Sequence, residues 1–421
     1  MTDLLLRDVR LIDGTGAEPR PGTDVLVADG LVAGVGPTGT VVPGWATADP
    51  ARLTVVEGAG RTLLPGFLDC HVHVSTLPGG DTLGTVLAPE SLLTLRSVPH
   101  LSATLDAGVT TARDLAGADS GFRDALEQGL VRGPRLQVAI RILSITGGHG
   151  DWRTIEGTPL DTGPGAGAVA DSPAEFVRAV REVLRQGADW VKVAATGGMG
   201  SPRSHPESGG LSEPELRAVV EEADRHGGVG VAGHAQGAAG IAAAVRAGVR
   251  SVEHGYLVDD ATIDLMGERG TWLVPTLSTL TRPVADGVAP WVAAKRRALQ
   301  ETARERLHAA ISAGVPVALG TDAGIAPHGT NLTELALLVE HGLSPAAAVV
   351  AGTSGAARML GIADQVGTVA PGLRADLVLT DVDPLTSIDG LADPRRVRLV
   401  VQDGRVVKDA RADDGRTVPR G

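Results

Sequence analysis

The 421-residue chain has a formal net charge of −12, and 43% of its residues are hydrophobic. That length and apolar content suffice for one large globular domain together with a small one. The acidic balance excludes nucleic acid as the expected partner, because nucleic-acid-binding proteins usually present a basic face.

The N terminus and the cysteine content predict a cytoplasmic protein. Residues 1–10 include Asp3 and Asp8 and lack the uninterrupted apolar core of a signal peptide. Apolar runs elsewhere stay well below the roughly 18 residues of a membrane-spanning helix, so no membrane association is expected. Cys70 is the only cysteine, which excludes an internal disulfide and agrees with a reducing compartment.

Both ends of the chain predict a small β domain. Short β-type runs separated by Gly, Pro and Asp turns lie at Leu4–Leu11, Thr23–Ala28, Leu31–Val35, Thr54–Glu57, Ala375–Thr380, Val397–Val401 and Arg405–Val407. Asp403-Gly404 between the last two runs is a hairpin signal. We therefore expect residues 1–62 and 362–421 to build one β-sandwich domain, with the rest of the chain inserted between them.

Residues 63–361 show short apolar strands alternating with helical stretches, the pattern of βα units around a parallel sheet. Helices are predicted at Ser172–Gln186 and Ser212–His226, each with a serine cap and an early proline. The predicted strands end near His73, Asp114, Ser144, Ala195, His234, His254, Thr276 and Asp322. Eight such strands predict an α/β fold of the (β/α)8 barrel type, in which functional groups lie at the C-terminal strand ends.

Potential metal ligands recur at these strand ends. His71 and His73 are two residues apart, so in a strand they lie on one face about 7 Å apart along the chain. A His-x-His pair by itself is also typical of an ordinary half-buried strand. Metal ligation becomes the better interpretation when all the strand-end candidates are taken together. They are His71, His73, Lys192, His234, His254 and Asp322.

Lys192 and Asp322 predict more specific chemistry. A buried, unpaired lysine has a lowered pKa, and its neutral amine can add CO2 to form a carbamate that bridges two cations, which arginine cannot do. The alternative is a lysine that extends to solvent from a strand end. Asp322 beside a metal-bound water would act as general base and then as general acid, whereas its alternative role is to cap the following helix.

The chain resembles the amidohydrolase superfamily of metal-dependent hydrolases. The matching motifs are Pro65–His73, Gly108–Asp114, Lys192, Gly233–Ala235, Glu253–Gly255 and Gly320–Asp322. The resemblance implies two divalent metal ions, with zinc expected. His71, His73 and Asp322 would hold the more buried ion, and His234 and His254 the more exposed one. Carboxylated Lys192 and a hydroxide would bridge the ions, and the hydroxide would attack a substrate amide.

The finer resemblance is to the imidazolonepropionase-like branch, close to Xaa-Pro and Xaa-Arg dipeptidases and ochratoxinase-like amidases. It depends on the segments Ile145–Gly150, Ala195–Gly198, Glu253–Tyr256 and His328–Asn331. It implies that His149 and Tyr256 contact the substrate, although solvent exposure of His149 and simple packing of Tyr256 are the alternatives. Arg153, Arg203 and His328 are further candidate contacts, and Cys70 is predicted to pack.

The expected activity is hydrolysis of a dipeptide or an N-acyl amino acid by a homo-oligomeric enzyme. A cyclic-amide hydrolase or deaminase of the imidazolonepropionase type is the alternative, and such sites often use one metal ion without a bridging carbamate. A third possibility is a non-catalytic scaffold on the same fold. Such scaffolds tend to lose ligands, whereas this chain keeps every strand-end candidate.

Overall fold

The computed structural model describes residues 3–41, 52–77, 82–154, 156–158, 160, 167–199, 204–282 and 290–411. The strands are β1 (Asp3–Leu11), β2 (Arg20–Ala28), β3 (Leu31–Pro37), β4 (Leu53–Glu57), β5 (Thr62–Pro65), β6 (Phe67–Val72), β7 (Val109–Asp114), β8 (Arg135–Val138), β9 (Ile142–Ser144), β10 (Ala168–Val169), β11 (Trp190–Ala194), β12 (Gly230–Ala235), β13 (Ser251–His254), β14 (Trp272–Val274), β15 (Leu377–Thr380), β16 (Val397–Gln402) and β17 (Arg405–Asp409).

The α-helices lie mainly between the strands of the central segment. They are α1 (Thr82–Leu87), α2 (Glu90–Asp106), α3 (Ser120–Glu127), α4 (Pro173–Arg185), α5 (Glu213–Arg225), α6 (Ala238–Ala247), α7 (Asp260–Arg269), α8 (Leu277–Thr281), α9 (Pro290–Ser312), α10 (Thr333–Glu340), α11 (Pro345–Ala351) and α12 (Ser354–Leu360). Two short 3-10 helices follow at Ile388–Ala392 and Pro394–Arg396. Among the helices described, none has both the length and the apolar character needed to cross a membrane.

The two ends of the chain share one 8-stranded sheet, as the sequence predicts. Its order is β17-β16-β15-β5-β1-β2-β3, and β4 also pairs with β1. Strand β5 joins the two ends, because it pairs with β1 on one side and with β15 on the other. The predicted hairpin turn is present: Asp403 and Gly404 have φ of 48° and 74°, the positive values that tight hairpin turns require.

The central strands pair in parallel, which confirms the predicted βα alternation. One sheet has the order β6-β7-β8 and a second has the order β10-β9-β11-β12-β13-β14. Helix α4 begins after Ser172, whose hydroxyl accepts from Glu175 N, and α5 begins with a capping box of Ser212 and Glu215. Both helices lie where the sequence predicts them, because these caps satisfy backbone N–H groups that the helix itself leaves unpaired.

The predicted strand ending near Asp322 does not form as a regular strand; residues 316–323 instead lie between the two parallel sheets and make isolated bridges to them. The Ala318 N–H donates to Leu273 O of β14 at 3.0 Å, and the Cys70 N–H of β6 donates to Leu319 O at 2.9 Å. The segment is thus hydrogen-bonded to the last strand of one sheet and the first strand of the other. This arrangement places its C-terminal end beside the end of β6.

Candidate metal centre

The parallel register gathers the predicted ligands at one end of the central strands. His71 lies on β6 and His73 directly after it. His234 lies on β12, where it pairs with Ala194 of the neighbouring strand β11. Every one of the predicted ligands except His73 is buried, and the His73 side chain is only 18% exposed. The structure therefore brings together the histidines, the lysine and the aspartate that the sequence singles out.

The imidazole rings form a compact cluster around Asp322. Ring centroids are 5.3 Å apart for His71 and His73, 5.2 Å for His71 and His254, and 4.6 Å for His234 and His254. Asp322 Oδ1 lies 3.3 Å from His73 Nε2 and 3.6 Å from His71 Nε2. His71, His254 and Asp322 each offer a ligand atom within 4.8 Å of the others, which is a spacing that one metal ion can bridge.

Burial keeps most of these imidazoles neutral, the form in which histidine binds metals. It lowers the pKa of His254 to about 3 and holds the pKa values of His71 and His234 well below the usual range. Asp322 behaves differently: burial alone raises its pKa, but the hydrogen bond from His73 and the nearby imidazoles bring it below its ordinary value. The cluster thus offers neutral nitrogens and an ionised carboxylate.

Hydrogen bonds on the far side of His71 and His73 turn the same ring nitrogen of each towards Asp322. Nδ1–H of His71 donates to Glu253 Oε2 at 2.8 Å, and Nδ1–H of His73 donates to Ala116 O at 2.9 Å. In both rings Nε2 faces Asp322: that of His71 carries the lone pair, and that of His73 donates a hydrogen bond to the carboxylate in the metal-free site. Such outer partners fix the tautomer of metal-binding histidines.

The other two histidines divide their nitrogens differently. Nδ1 of His254 shares a hydrogen bond of 2.7 Å with Thr276 Oγ1, which leaves Nε2 free. His234 instead uses Nε2–H, which donates to Gly197 O at 3.0 Å, and so keeps Nδ1 as its free nitrogen. Three rings therefore present Nε2 to the cluster, and His234 presents Nδ1.

A buried ion pair between Arg113 and Glu253 supports His71, and no role is predicted for this pair from the sequence. Arg113 Nη2 lies 2.8 Å from Glu253 Oε1, and neither side chain is exposed. Ser251 Oγ donates to the same oxygen at 2.5 Å, and Arg113 Nε donates to Cys70 O at 2.6 Å. The signal in the sequence was a charged residue inside each of two apolar strand runs.

Lys192 supplies the test of whether the site fits a metal centre. It is 3% exposed, and its Nζ has no hydrogen-bond partner among the described residues. Burial lowers the pKa of this amine to about 8. A lone buried ammonium is costly, so an amine that can become a carbamate ligand fits the position well.

Asp69 holds the Asp322 segment against β6. Its carboxylate accepts from Thr321 N at 3.1 Å, from Thr321 Oγ1 at 2.6 Å and from Asn331 Nδ2 at 2.8 Å. Burial raises the pKa of Asp69 to about 6. The aspartate of the Pro65–His73 motif therefore positions a predicted ligand from the other end of the central segment.

The two predicted substrate contacts both lie beside the histidines. The His149 ring stacks on the His234 ring at 4.1 Å with 12° between the planes, and its Nδ1 is buried without a hydrogen-bond partner in the described part of the chain. Tyr256 is fully buried, its ring lies 5.4 Å from that of His254, and its hydroxyl is 3.2 Å from Thr276 Oγ1.

The remaining candidates are His328, Arg153, Arg203 and Cys70. His328 Nε2–H donates to His73 O at 3.3 Å, so it holds the backbone of a predicted ligand. Arg153 pairs with Asp151 at 3.5 Å, and Arg203 lies outside the described residues. Cys70 is fully buried in an apolar cluster with Leu68, as predicted.

Comparison with known proteins assigns the chain to a family. The model of the amidohydrolase family matches residues 62–407. Ochratoxinase from Aspergillus niger is 33% identical over 422 residues, which cover 94% of this chain and 85% of ochratoxinase. Imidazolonepropionase from Ectopseudomonas mendocina is 28% identical, and the alignment covers 96% of this chain and 97% of that enzyme.

Comparison with solved protein structures indicates the same family. The crystal structure of a prolidase complexed with N-methylphosphonate-L-proline has a TM-score of 0.89 and 34% sequence identity, covering 97% of this chain and 100% of the prolidase chain. The predicted resemblance, both to the superfamily and to its ochratoxinase-like and prolidase-like branch, is confirmed. The chain therefore belongs to the amidohydrolase family and is a hydrolase that acts on carbon–nitrogen bonds.

Proposed function

We propose that this protein is a binuclear metal-dependent amidohydrolase that cleaves the amide bond of a dipeptide or an N-acyl amino acid. The observation that carries the proposal is the buried amine of Lys192, which has no hydrogen-bond partner among the described residues and lies next to a cluster of neutral imidazoles and ionised Asp322. The similarity to ochratoxinase and to a prolidase bound to a proline phosphonate supports a peptide-like substrate.

The residues divide between two metal positions. His71, His73 and Asp322 would hold the more buried ion, and His234 and His254 the more exposed one. The Lys192 amine, once neutral, forms a bond from Nζ to the carbon of CO2 and releases one proton, which yields the anionic carbamate that would join the two positions. Bound zinc or a similar cation supplies a water of lowered pKa and polarises the substrate carbonyl.

The chain's own residues move the protons and orient the substrate. Asp322 is ionised and hydrogen-bonded to His73, so it accepts the proton of the attacking water and delivers it to the leaving nitrogen. Tyr256 lies beside the His254 ring, and His149 stacks on the His234 ring. At these positions they contact the scissile group and the carboxylate of the substrate. A phenol hydroxyl at that position donates to a developing oxyanion.

Metal analysis and substrate screening test this function together. The expected result is two divalent ions per chain and hydrolysis of members of a dipeptide and N-acyl amino acid library by the zinc-loaded enzyme. A single ion per chain with activity on cyclic amides would instead support an imidazolonepropionase-type hydrolase or deaminase. A purified protein that binds no divalent metal would end the proposal.

Lysine replacement tests the carbamate separately. Lys192→Arg is expected to abolish activity, because a guanidinium stays protonated and cannot add CO2. Lys408→Arg is the matched control, since Lys408 Nζ donates to Asp106 O at 2.8 Å and to Pro394 O at 2.7 Å, away from the cluster. Full activity in Lys192→Arg would contradict the mechanism.

We further propose that residues 63–361 form a closed (β/α)8 barrel and that residues 1–62 and 362–421 form a β-sandwich. The hydrogen bonds that residues 316–323 make to both parallel sheets support closure. The sheet shared by both chain ends supports one terminal domain, and its strand β5 reaches Pro65, just past the proposed boundary. We also propose a cytoplasmic location and a homo-oligomeric state. The buried free thiol of Cys70 supports the cytoplasmic location.

A further inference from the structure

Thr276 occupies an unusual position between β14 and α8. Its φ is +50°, a left-handed conformation that is rare for a β-branched residue and costs free energy. Its Oγ1 is 2.7 Å from His254 Nδ1 and 3.2 Å from the hydroxyl of Tyr256. One side chain that is fully buried therefore touches a predicted metal ligand and a predicted substrate contact at once.

A second buried residue secures this strained backbone. The Glu334 carboxylate, which is not exposed at all, accepts from Leu277 N and Ser278 N, each at 2.7 Å, and from Ser278 Oγ at 2.5 Å. These are the first two residues of α8, directly after Thr276, so the carboxylate satisfies backbone N–H groups that the helix start leaves unpaired. Glu334 belongs to α10, which ties the turn to a separate element.

The same turn also reaches the proposed general base. Thr279 Oγ1 is 3.3 Å from Thr321 O and 3.4 Å from Asp322 Oδ2. Helix α8 and the residue before it thus contact three different parts of the site through hydroxyl groups. A displacement of this short helix would disturb all three contacts together.

We propose that Thr276 is a positioning residue that sets the tautomer of His254 and orients Tyr256 through a single hydroxyl, and that Glu334 maintains the backbone conformation this requires. The inference rests on the proposed function. A hydroxyl has one proton and two lone pairs. When Oγ1 accepts from His254 Nδ1–H, its own proton is available to the phenol oxygen, so the phenol proton of Tyr256 is held only by the long 3.5 Å contact with Thr276 O and can turn to a substrate oxygen.

Metal affinity provides the first readout, with zinc alone as the probe and a chelator as competitor. Thr276→Val keeps the shape and removes the hydroxyl, so one of the two zinc ions is expected to bind about 10 to 100-fold more weakly. Thr276→Ser keeps the hydroxyl and is expected to bind both ions like the wild type. The visible spectrum of the cobalt-loaded protein should change in Thr276→Val and not in Thr276→Ser.

Thr380→Val is the matched control. Thr380 is equally buried, and its Oγ1 donates to Arg396 O at 2.8 Å in the terminal sheet, so its loss removes a comparable bond without touching the site. Equal zinc affinity in Thr276→Val and wild type would overturn the inference, as would a Thr276→Ser variant as impaired as Thr276→Val. Wild-type protein that binds no zinc would instead refute the proposed function.

Glu334→Gln keeps the proposal testable if Thr276→Val does not fold. The amide has one acceptor oxygen where the carboxylate has two, and its NH2 group faces backbone donors, so the turn at Thr276 should loosen. We expect weaker binding of the same zinc ion and a kcat that falls more than KM rises. Unchanged zinc affinity in a folded Glu334→Gln variant would show that Glu334 does not maintain the site.

Discussion

Lys192→Met should stabilise the metal-free protein while it abolishes activity. Burial moves the pKa of Lys192 from 10.5 to about 8, and its Nζ has no partner among the described residues. The unfolded chain binds this proton more tightly than the folded chain does, so the charged lysine lowers the free energy of unfolding. This penalty is complete below pH 8 and disappears as the pH rises to 10.5. A shift of that size corresponds to about 3 kcal/mol.

Methionine has a similar length and carries no charge, so it removes the penalty without opening a large cavity. The free energy of unfolding of EDTA-treated protein, measured by urea denaturation, should rise in Lys192→Met by up to about 3 kcal/mol at pH 7. At pH 9.5 the gain should shrink to about 1 kcal/mol, because the folded chain then holds Lys192 neutral and only the one pH unit up to the unfolded pKa of 10.5 still penalises folding.

Lys408→Met provides the comparison for this measurement. Lys408 Nζ donates two hydrogen bonds to backbone carbonyls, so its replacement is expected to destabilise the protein at pH 7. The reasoning would be refuted by a Lys192→Met variant that is less stable than the wild type at pH 7, or by a gain that does not depend on pH.

Three further predictions follow from the site. Arg113→Met leaves the Glu253 carboxylate buried without its ion-pair partner, so the free energy of unfolding should fall by about 3 to 5 kcal/mol in urea denaturation, and a smaller loss in the double variant with Glu253→Met would confirm the coupling. Tyr256→Phe should lower kcat about 100 to 1,000-fold in steady-state assays with little change in zinc content, whereas unchanged kcat would remove the phenol from the reaction. In Gly198→Ala the new Cβ would lie 2.5 Å from His149 Nδ1 and 2.9 Å from His234 Nε2, so both rings must move; we expect raised KM together with weaker zinc binding, and an unaffected KM would argue against substrate contact by His149.

The order of elements and most ligands could be predicted from the sequence because they depend on local rules. Serine caps and early prolines define α4 and α5, and the predicted bounds agree with the structure. His71 and His73 could be assigned to one site because alternate strand residues share a face, and parallel strands end at the same edge. The α/β class and the proposed ligand set thus follow from periodicity and spacing along the chain, together with the family resemblance.

The partners of those ligands depend on the tertiary structure. Strand parity would turn Glu253 and His254 to opposite faces, yet both side chains reach His71: Glu253 hydrogen-bonds to it and the His254 ring lies 5.2 Å away. The reason is the backbone of His254, whose φ of +73° breaks the alternation at the strand end. Thr276 and Asp322 are also left-handed, with φ of 50° and 56°.

Such conformations are unfavourable in isolation, so the sequence around them does not predict them. They persist only where contacts from distant segments compensate, as Glu334 does at the start of α8 and Asp69 does beside Thr321. The sequence by itself thus determined which elements form and which residues are able to bind metal. Only the tertiary structure decided which nitrogen each histidine presents and that Lys192 has no partner within the described part of the chain, because both depend on neighbours that are far away along the chain.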